Sequence, residues 1–527
     1  MTSHETAIAK LLAQPFGTVP DLIRIHAHYR PQHPAFVLGD QTVDYGNLDQ
    51  MVDRVAASLQ RDGCAGGDTI AICANTSIEY ALLYLGCLRA GVSVAPLPPS
   101  SRPEALAGMM TDSDARIMFV DQAAANTLQA ILPGMAVLRI TMDGGAEGTS
   151  FRQWLAAPGA VPTAVDIQPD TPFNIIYSSG TTGVPKGIVQ PCSLRWAQVQ
   201  RAVGLEYGSH AVTLLSTPLY SNTTLVSFFA TLALGGTVLL MEKFDARAYL
   251  ELAERHRVTH TMLVPVQYRR LMALPDFDRF DLSSFRMKFC TSAPCHAALK
   301  QDVLTRWPGG LVELYGMTEG GGSCQLFAHL HRSKLHTVGK PSPGSTFKVI
   351  DDQERELTVG EKGEIVGRSG SMMTGYHKQP EKTIDAEWYD TAGLRFIRTG
   401  DIGSFDADGF LALLDRKKDM IISGGFNIYP SDLEDVLRGH PVVGDVAVVG
   451  VPSERWGETP VAFVVPHAGA EVDGPALLAW SNERLGKMQR LAAVKVVDDL
   501  PRSAIGKVLK RELRDRFTVL IDQQNKA

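Results

Sequence analysis

The segment YSSGTTGVPKG, which spans residues 177–187, combines the residue types that bind phosphate. Glycines let backbone N–H groups approach an anion closely, because they lack a Cβ and adopt positive φ values. Serine and threonine hydroxyls add donors, and Lys186 adds a positive charge. The sequence does not follow GxxxxGK[ST], so this is not the Walker pattern. The segment predicts a polyphosphate cradle, and a purely structural turn is the alternative.

A second group of polar residues follows an apolar run in LVELYGMTEGGG, residues 311–322. The carboxyl end of a strand in a parallel sheet is where open α/β folds bind ligands. There, Tyr315 is suited to stacking on a base, and the Glu319 carboxylate is suited to holding Mg²⁺ beside phosphates. A glycine-containing turn without a ligand is the alternative.

Three further segments place charged residues in loops. In RTGDIG, Asp401 can accept hydrogen bonds from the two hydroxyls of a ribose. In DRKKDMIISGG, Arg416 and Lys418 precede a pair of glycines, and in LPRSAIGKVLKREL, Lys507 lies in a loop that enters a helix. Each has a plainer alternative: a turn aspartate, a solvated charged linker, and one lysine among several at a basic helix start.

The elements that must position these segments alternate along the chain. Helical and strand patterns succeed one another over residues 44–140 and again over residues 211–290, where residues 258–266 are predicted as one strand. Such alternation predicts crossover units and a largely parallel sheet. After about residue 340 the strands are short and punctuated by glycine, and Asp408-Gly409 is a hairpin signal. The last 110 residues or so predict a small α+β domain.

Composition narrows the function classes. The chain has 527 residues and a net charge of -6, which argues against a nucleic-acid binder. Its seven cysteines form no CxxC pair, which predicts free thiols in a reducing cytoplasm, and the N-terminus does not resemble a secretion signal. Residues 211–241 carry no charge, but Gly235-Gly236 interrupts the run. We therefore predict a buried helix near 223–234 and a strand near 237–241 rather than a membrane span.

In order and spacing, the five segments resemble those of the adenylate-forming enzymes, which include acyl- and aryl-CoA synthetases, nonribosomal peptide adenylation domains and firefly luciferases. The resemblance extends from about residue 20 to 515. It implies an α/β fold with a large N-terminal domain of stacked, mostly parallel sheets and a β-barrel-like subdomain, over residues 1–416. Residues 417–527 would form a small mobile α+β lid.

The resemblance also implies a two-step reaction that uses ATP, Mg²⁺ and coenzyme A. A carboxylate attacks the α-phosphate of ATP and releases pyrophosphate, and a thiol then displaces AMP. The residues implied in catalysis are Lys507, Lys186, Glu319, which would also hold the metal, and Thr182. The residues implied in ATP or AMP binding are Ser178, Ser179, Gly180, Thr181, Thr182, Gly183, Lys186, Ser292, Ala293, Pro294, Tyr315, Gly316, Met317, Thr318, Asp401, Arg416 and Lys507.

In this family the lid swings between two poses about a hinge residue two positions after the arginine, which is Lys418 here. One pose brings in Lys507 for adenylation. The other presents a glycine-rich turn to the thiol of coenzyme A. The residues implied in coenzyme A binding are Gly424, Gly425, Phe426 and Trp456; for Trp456, a half-buried core position is the alternative.

The acyl pocket is the segment from which the sequence predicts least. Ser221 stands where many relatives have histidine, and we expect the glycines after Glu319 to leave volume. Because residues 211–241 contain no Arg, Lys, His or Asp, we predict an uncharged monocarboxylic acid rather than a dicarboxylate or a free amino acid. The residues implied in the pocket are Tyr220, Ser221, Asn222, Pro265, Gly320 and Gly321.

An aryl or arylpropenoic acid is the first choice, and a medium-chain fatty acid is the second. A stand-alone adenylation enzyme that loads a carrier protein would share all these motifs, and a luciferase-like oxygenase or an inactive binding homologue are further alternatives. The predicted partners are small molecules, with no nucleic acid and no membrane span; a homodimer is included among the expected assemblies.

Overall fold

The computed structural model describes residues 2–129, 137–145, 148–178, 186–424, 426–453, 455–503 and 506–524. The chain divides into two compact units. Unit 1 comprises Met1–Leu335, Pro341–Thr346 and Arg368–Ile397, and unit 2 comprises His336–Lys340, Phe347–Gly367 and Arg398–Ala527. The sequence predicts a domain boundary after residue 416, with residues 417–527 moving as a lid. This boundary stays a prediction.

Helices and strands alternate through most of the described chain. The α-helices are α1 (Ser3–Leu12), α2 (Val19–Tyr29), α3 (Tyr45–Arg61), α4 (Ile78–Arg89), α5 (Pro103–Asp112), α6 (Gln122–Leu128), α7 (Phe151–Trp154), α8 (Cys192–Ala202), α9 (Asn222–Ala233), α10 (Ala246–Arg255), α11 (Pro265–Met272), α12 (Ala297–Arg306), α13 (Pro380–Asp385), α14 (Pro430–Arg438), α15 (Gly474–Arg484) and α16 (Lys510–Gln524).

The strands fall into four sheets. In chain order they are β1 (Pro34–Leu38), β2 (Gln41–Asp44), β3 (Thr69–Cys73), β4 (Ser93–Pro96), β5 (Ile117–Val120), β6 (Leu138–Thr141), β7 (Thr149–Ser150), β8 (Pro172–Ser178), β9 (Lys186–Pro191), β10 (Val212–Leu215), β11 (Thr237–Leu240), β12 (His260–Leu263), β13 (Met287–Cys290), β14 (Gly310–Gly316), β15 (Ser323–Phe327), β16 (Lys340–Pro341), β17 (Ser345–Ile350), β18 (Gly363–Ser369), β19 (Gly375–Tyr376), β20 (Glu387–Tyr389), β21 (Arg395–Phe405), β22 (Leu411–Arg416), β23 (Ile421–Ser423), β24 (Phe426–Ile428), β25 (Val443–Ser453), β26 (Gly457–Pro466) and β27 (Ala493–Val496).

Two large sheets dominate the fold, as the alternation predicts. One has the order β16-β15-β14-β13-β12-β10-β11-β1-β2, and its six strands from β14 to β1 are parallel. The other has the order β19-β9-β8-β4-β3-β5-β6-β7 and is parallel from β8 to β7. In both sheets, antiparallel strands are added next to the strands that carry the ligand motifs.

The uncharged run becomes α9 and β11, and this confirms the prediction from the sequence. Ten of the twelve residues of α9 are buried, including Phe228 and Phe229. A helix that is apolar all round is stable only when neighbours cover every face. Here the neighbours include the equally buried α4 and strands of both sheets. Among the described residues, no helix has the length and apolar character that crossing a membrane requires.

One strand is shorter than the sequence predicts. Residues 258–266 are predicted as one strand, but β12 covers only His260–Leu263, and α11 starts at Pro265. Proline is well suited to the first helical position, because its missing N–H has no partner there in any case and its φ is already helical. The prediction is therefore wrong at this end, and Pro265 lies at the start of a helix.

The remaining two sheets come from the later part of the chain. One has the order β17-β18-β21-β20, with β22 paired to β21. The hairpin predicted at Asp408-Gly409 joins β21 to β22. In unit 2, the other sheet has the order β24-β23-β26-β25, with β27 on β26 and α14 against β25. This confirms the prediction that the last part of the chain combines helices and strands in a small α+β fold.

Candidate active site

The predicted phosphate loop connects two neighbouring strands. Ser178 is the last residue of β8, Lys186 is the first residue of β9, and they lie directly opposite each other in the antiparallel pair. A Cβ on Gly187 would lie 2.8 Å from Ile175 Cγ2, so the sequence motif needs a glycine here for packing. The other predicted contacts of the loop, Ser179, Gly180, Thr181, Thr182 and Gly183, lie outside the described residues.

Tyr376 links Lys186 and Glu319, two of the predicted catalytic residues of unit 1. The Lys186 ammonium lies 4.8 Å from the centroid of the Tyr376 ring, a distance typical of a cation–π contact. The Tyr376 hydroxyl donates a hydrogen bond of 3.0 Å to Glu319 Oε1. Burial and the neighbouring Glu319 carboxylate raise the pKa of the phenol, so Tyr376 keeps the proton that it donates. The three side chains form one contact chain.

Sequence reasoning missed Tyr376. It lies in β19, a strand of two residues, and it is positioned because β19 pairs with β9, with Tyr376 opposite Ile188. The backbone N–H of Met373, in the same segment, donates to the Glu319 carbonyl at 2.8 Å. Nothing in the local sequence signals these contacts, since a two-residue strand has no periodicity to detect.

The YGMTE segment is the end of β14 and the turn that follows. Tyr315 and Gly316 are the last two residues of the strand, opposite Cys324 and Ser323 of β15. Met317 and Thr318 are half-buried in the turn. The Thr318 carbonyl accepts a hydrogen bond of 2.7 Å from the Gln190 side-chain amide, which comes from β9. The strand after the phosphate loop thus holds this turn directly.

The predicted adenine wall touches the start of α9. Ser292 has a positive φ of 76°, uncommon for a residue with a side chain. Its hydroxyl lies 2.5 Å from the hydroxyl of Thr223. Ala293 is half-buried, and Pro294 is exposed. Two segments that the sequence assigns to adenine and to the acyl group are therefore in contact.

The first four predicted acyl-pocket residues lie at two helix starts. Tyr220 and Ser221 precede α9, Asn222 is its first residue, and Pro265 is the first residue of α11. These positions come from separate crossovers of the nine-stranded sheet, where β10 and β12 are neighbours. The structure therefore places the two helix starts after adjacent parallel strands.

The glycines after Glu319 do not simply leave space. Gly320 has a φ of +77°, and a Cβ there would lie 2.7 Å from Leu194 Cδ1 and 3.1 Å from the Met372 backbone. Gly321 is buried. At Gly320 the expectation of open volume is therefore wrong, because neighbouring atoms occupy the position and glycine is required by the backbone and by close packing.

A buried cation contacts Asn222 of the predicted acyl pocket. Arg195, in α8, is only 1% exposed, and its Nη2 donates to Asn222 Oδ1 at 3.0 Å. The same nitrogen donates to Gln190 Oε1 at 3.0 Å. The prediction of an uncharged acid rests on residues 211–241, and Arg195 lies outside that segment.

In unit 2, the two predicted ribose residues face each other. Asp401 on β21 and Arg416 on β22 are a cross-strand pair, and Arg416 Nε lies 2.6 Å from Asp401 Oδ1. Thr399 supports both: its hydroxyl accepts from the Asp401 N–H, and its carbonyl accepts from Arg416 Nη1. The pair is held in place from two sides.

Lys507 belongs to the same charge group of unit 2. Its backbone N–H donates to Ser503 Oγ, and its carbonyl accepts from the Ser503 N–H. The residue as a whole is exposed, but its ammonium is largely surrounded by protein. This loss of water, followed by repulsion from Arg416 and Lys418, lowers the pKa of Lys507 to about 8. Asp401 acts in the opposite direction.

The predicted hinge and thiol-binding residues follow Arg416. Lys418 is exposed in a 3₁₀ turn, Lys417–Asp419. Gly424 has a φ of +56°, and its N–H donates to the Trp456 carbonyl at 2.8 Å. Phe426 and Trp456 are 55% and 43% exposed, so Trp456 is not a core residue. Gly425 lies outside the described residues.

Comparison with known proteins gives a consistent result over nearly the whole chain. The sequence matches the AMP-binding enzyme family over residues 23–377 and the AMP-binding enzyme C-terminal domain over residues 432–507. A feruloyl-CoA synthase of Amycolatopsis sp is 34% identical over 504 residues, which cover 93% of this chain and 97% of that protein. The fatty acid–[acyl-carrier-protein] ligase ScoC of Streptomyces coeruleorubidus is 31% identical over 510 residues, with 95% and 96% covered. The amide bond synthetase McbA of Marinactinospora thermotolerans has a similar structure, with a TM-score of 0.84, 29% identity and 95% and 99% of the two chains covered.

Proposed function

Because this chain belongs to the AMP-binding enzyme family, we propose that it activates a carboxylic acid with ATP and transfers the acyl group to coenzyme A. In the first step, a carboxylate oxygen bonds to the α-phosphorus of ATP, the bond to the β-phosphate oxygen breaks, and pyrophosphate leaves. In the second step, the thiol sulfur of coenzyme A bonds to the acyl carbon, the thiol loses its proton, and AMP leaves. The products are the thioester, AMP and pyrophosphate.

The observation that carries the proposal is the charge group of unit 2, formed by Asp401, Arg416 and Lys507. The first step brings two anions together, so cationic groups that stabilise the developing charge are its main requirement. We assign Lys507 to the carboxylate and the α-phosphate, and Asp401 with Arg416 to the ribose. The paired geometry of Asp401 and Arg416 supports an acceptor held at a fixed position for the two ribose hydroxyls.

In unit 1, we assign Lys186 to the β- and γ-phosphates. The Tyr376 ring under its ammonium limits where the charge can move, which suits a lysine that must meet a defined phosphate. The leaving pyrophosphate gains negative charge as the bond breaks, so a fixed cation there lowers the barrier. Ser178, opposite Lys186 at the start of the loop, adds a hydroxyl donor.

We further assign Mg²⁺ to Glu319. In the described part of the chain, no three His, Cys, Asp or Glu side chains are grouped to bind a metal. A single carboxylate fits Mg²⁺, because this ion keeps several waters and is bound through one or two carboxylates together with the substrate phosphates. When bound, it neutralises phosphate charge. The hydrogen bond from Tyr376 orients the Glu319 carboxylate for this role.

For the second step, we propose that residues 417–527 move about Lys418 and present the turn at Gly424 and Phe426. An exposed apolar pair, Phe426 and Trp456, sits at this turn. Exposed apolar side chains of this size are expected at a binding surface. They fit the narrow, largely uncharged pantetheine arm of coenzyme A.

We propose an arylpropenoic acid as the substrate class, with a medium-chain fatty acid as the second candidate. The similarity to a feruloyl-CoA synthase supports the first. The similarity to ScoC, whose name describes transfer to an acyl carrier protein, favours a carrier protein as the alternative acceptor. We place the reaction in a reducing cytoplasm, since the seven cysteines form no disulfide in the structure.

A pyrophosphate-release assay across cinnamic acids, benzoic acids and fatty acids of four to twelve carbons tests the first step. Mass detection of the thioester, with coenzyme A or a phosphopantetheinylated carrier protein, tests the second. We expect acid-dependent pyrophosphate release, and AMP and thioester formation that require coenzyme A. If pyrophosphate release depends on the acid but a thioester forms only on the carrier protein, the acceptor is a carrier protein and not coenzyme A.

A further inference from the structure

The inference concerns the acyl pocket and rests on the proposed function. Arg195 is buried in α8 beside the rings of Phe173 and Phe229, whose centroids lie 5.0 and 5.4 Å from its guanidinium carbon. Among the described residues, no carboxylate pairs with it. Its hydrogen-bond acceptors are the neutral amide oxygens of Gln190, Gln198 and Asn222. Burial lowers the pKa of Arg195 to about 10, so it remains charged at neutral pH.

An unpaired buried charge is unfavourable for stability, because the loss of hydration is not repaid by an opposite charge. Arginine presents only donors, as lysine does, and unlike lysine it holds them in a fixed plane, whereas glutamine also presents an acceptor. Every amide that contacts it must therefore turn its oxygen toward it. The orientation of the three amides is thus dictated by the chemistry of Arg195.

This orientation has a direct consequence for Asn222, the first residue of α9. With Oδ1 turned to Arg195, the Nδ2 group faces away from it, and Nδ2 has no hydrogen-bond partner among the residues that the structure describes. Asn222 is half-buried, so its Nδ2 remains accessible to water or to an acceptor atom of a ligand. Gln190 has the same orientation with both ends of its amide bonded, since its oxygen accepts from Arg195 and its nitrogen donates to the Thr318 carbonyl.

We propose that Asn222 is a specificity-determining residue that donates a hydrogen bond to an oxygen on the acyl portion of the substrate, and that Arg195 is the positioning residue that holds its amide in that orientation. The substrate is then an acid with an acceptor oxygen, such as a ring methoxy group, away from the reacting carboxylate. A plain hydrocarbon acid would leave the donor without a partner in the complex, and this is what disfavours it.

The test compares cinnamic acid with 2-, 3- and 4-methoxycinnamic acid, because a methoxy oxygen accepts but does not donate. We expect wild-type kcat/KM for pyrophosphate release to be about tenfold higher for at least one methoxy isomer than for cinnamic acid, the size expected for one neutral hydrogen bond. Octanoic acid serves as the hydrocarbon comparison.

Variants separate specificity from folding. Asn222→Leu should bring the methoxy preference close to one, and Arg195→Met should do the same because the amide is then free to turn. Arg195→Lys, which still donates, should restore part of the preference. Gln198→Leu is the matched control, since it removes an Arg195 contact without touching Asn222, and it should retain the preference.

A merely structural role for either residue would lower all four cinnamate rates together and leave their ratio unchanged, and that result would overturn the inference. A wild-type enzyme that uses octanoic acid or cinnamic acid as well as every methoxy isomer would overturn it too, while leaving the proposed function intact. Failure of pyrophosphate release with every acid would overturn the proposed function and the inference together.

Discussion

The hydroxyl of Tyr376 lies 3.0 Å from Oε1 of Glu319 and donates to it. Tyr376→Phe keeps the ring beside Lys186 and removes only this hydrogen bond. Because hydrogen bonds to charged groups contribute about 1.5–3 kcal/mol, we expect kcat/KM for pyrophosphate release to fall by tenfold or more. The Mg²⁺ concentration needed for half-maximal rate should rise, since the carboxylate is less well oriented.

Tyr389→Phe is the matched control for this prediction. Tyr389 is exposed and donates to Glu387 in the same way, at 2.8 Å. Its loss should leave both measurements unchanged. Equal effects of the two substitutions would show that the contact with Glu319 has no special part in the reaction.

Lys507 makes the first step sensitive to pH. Its pKa of about 8 means that the ammonium is charged below this pH and neutral above it. We expect kcat/KM for pyrophosphate release to decline as pH rises through 8. Lys507→Ala should cost on the order of 10²–10³ in rate, as loss of a transition-state contact does.

Arginine keeps its charge throughout this range, so Lys507→Arg should remove the decline even if its maximal rate is lower. The exposed Lys487 provides the comparison, because Lys487→Arg should leave the wild-type profile unchanged. An identical decline in Lys507→Arg would assign the titration to another group.

Lys418 is predicted to act in the change of pose rather than in the chemistry. Proline at this position restricts φ and so the rotation of a hinge. Lys418→Pro should therefore reduce thioester formation more than pyrophosphate release, both measured in single-turnover assays. Lys418→Ala, which keeps backbone freedom, should affect neither step strongly. Equal loss of both steps in the proline variant would remove the hinge assignment.

The buried His26 makes the protein sensitive to acid. Its Nε2 donates to the Ala233 carbonyl at 2.9 Å, and its Nδ1 lies 2.9 Å from His4 Nε2. Burial lowers the pKa of His26 to about 4. As pH falls from 6.5 to 4, His26 is protonated in the unfolded chain but stays largely neutral in the folded chain. The free energy of unfolding therefore falls by about 3 kcal/mol.

Urea unfolding at pH 7, 5.5 and 4.5 measures this loss. His26→Gln should be less stable at pH 7 but should show a smaller fall with acid than the wild type. The exposed His467 supplies the control, and His467→Gln should keep the full fall. A wild-type fall that His26→Gln leaves unchanged would contradict the assignment.

Gly320 tests whether the glycines after Glu319 are structural. Gly320→Ala meets Leu194 at 2.7 Å and a positive φ, so we expect it to cost more than the 1–2 kcal/mol or so of a left-handed residue alone. Gly39→Ala measures the cost of the positive φ alone, since nothing lies within 4 Å of its Cβ position. Gly370→Ala should carry neither cost, because Gly370 has neither a positive φ nor a close neighbour. Thermal unfolding of the three variants should rank them in that order. If Gly320→Ala has only a mild effect, Gly320 leaves open volume, as the sequence predicts, and is not required for packing.

Much of the fold could be predicted because its elements are long and strongly patterned. The uncharged run of α9 and β11 and the Gly-Gly turn between them are local features, and the structure confirms them. The end of β12 was predicted incorrectly, because a buried apolar strand followed by a proline-initiated helix reads as one continuous apolar run.

The site was only partly predictable for a different reason. Asp401 and Arg416 lie in short motifs that become recognisable through their order and spacing with the other segments. Tyr376 and Arg195 act through contacts with Glu319 and Asn222 that are distant in sequence. Such contacts depend on which strands pair and which helices pack, and no periodicity in a single chain encodes them.

The burial of α9 on every face has a consequence for handling the protein. When the chain unfolds, Asn222–Ala233 and Thr237–Leu240 emerge together as an uncharged, β-prone surface without a charged residue to interrupt self-association. Heat inactivation should therefore be followed by aggregation, so that half-life at a given temperature, rather than an equilibrium midpoint, describes its durability. The same segment makes the nascent chain a candidate for chaperone capture until the sheets close around it.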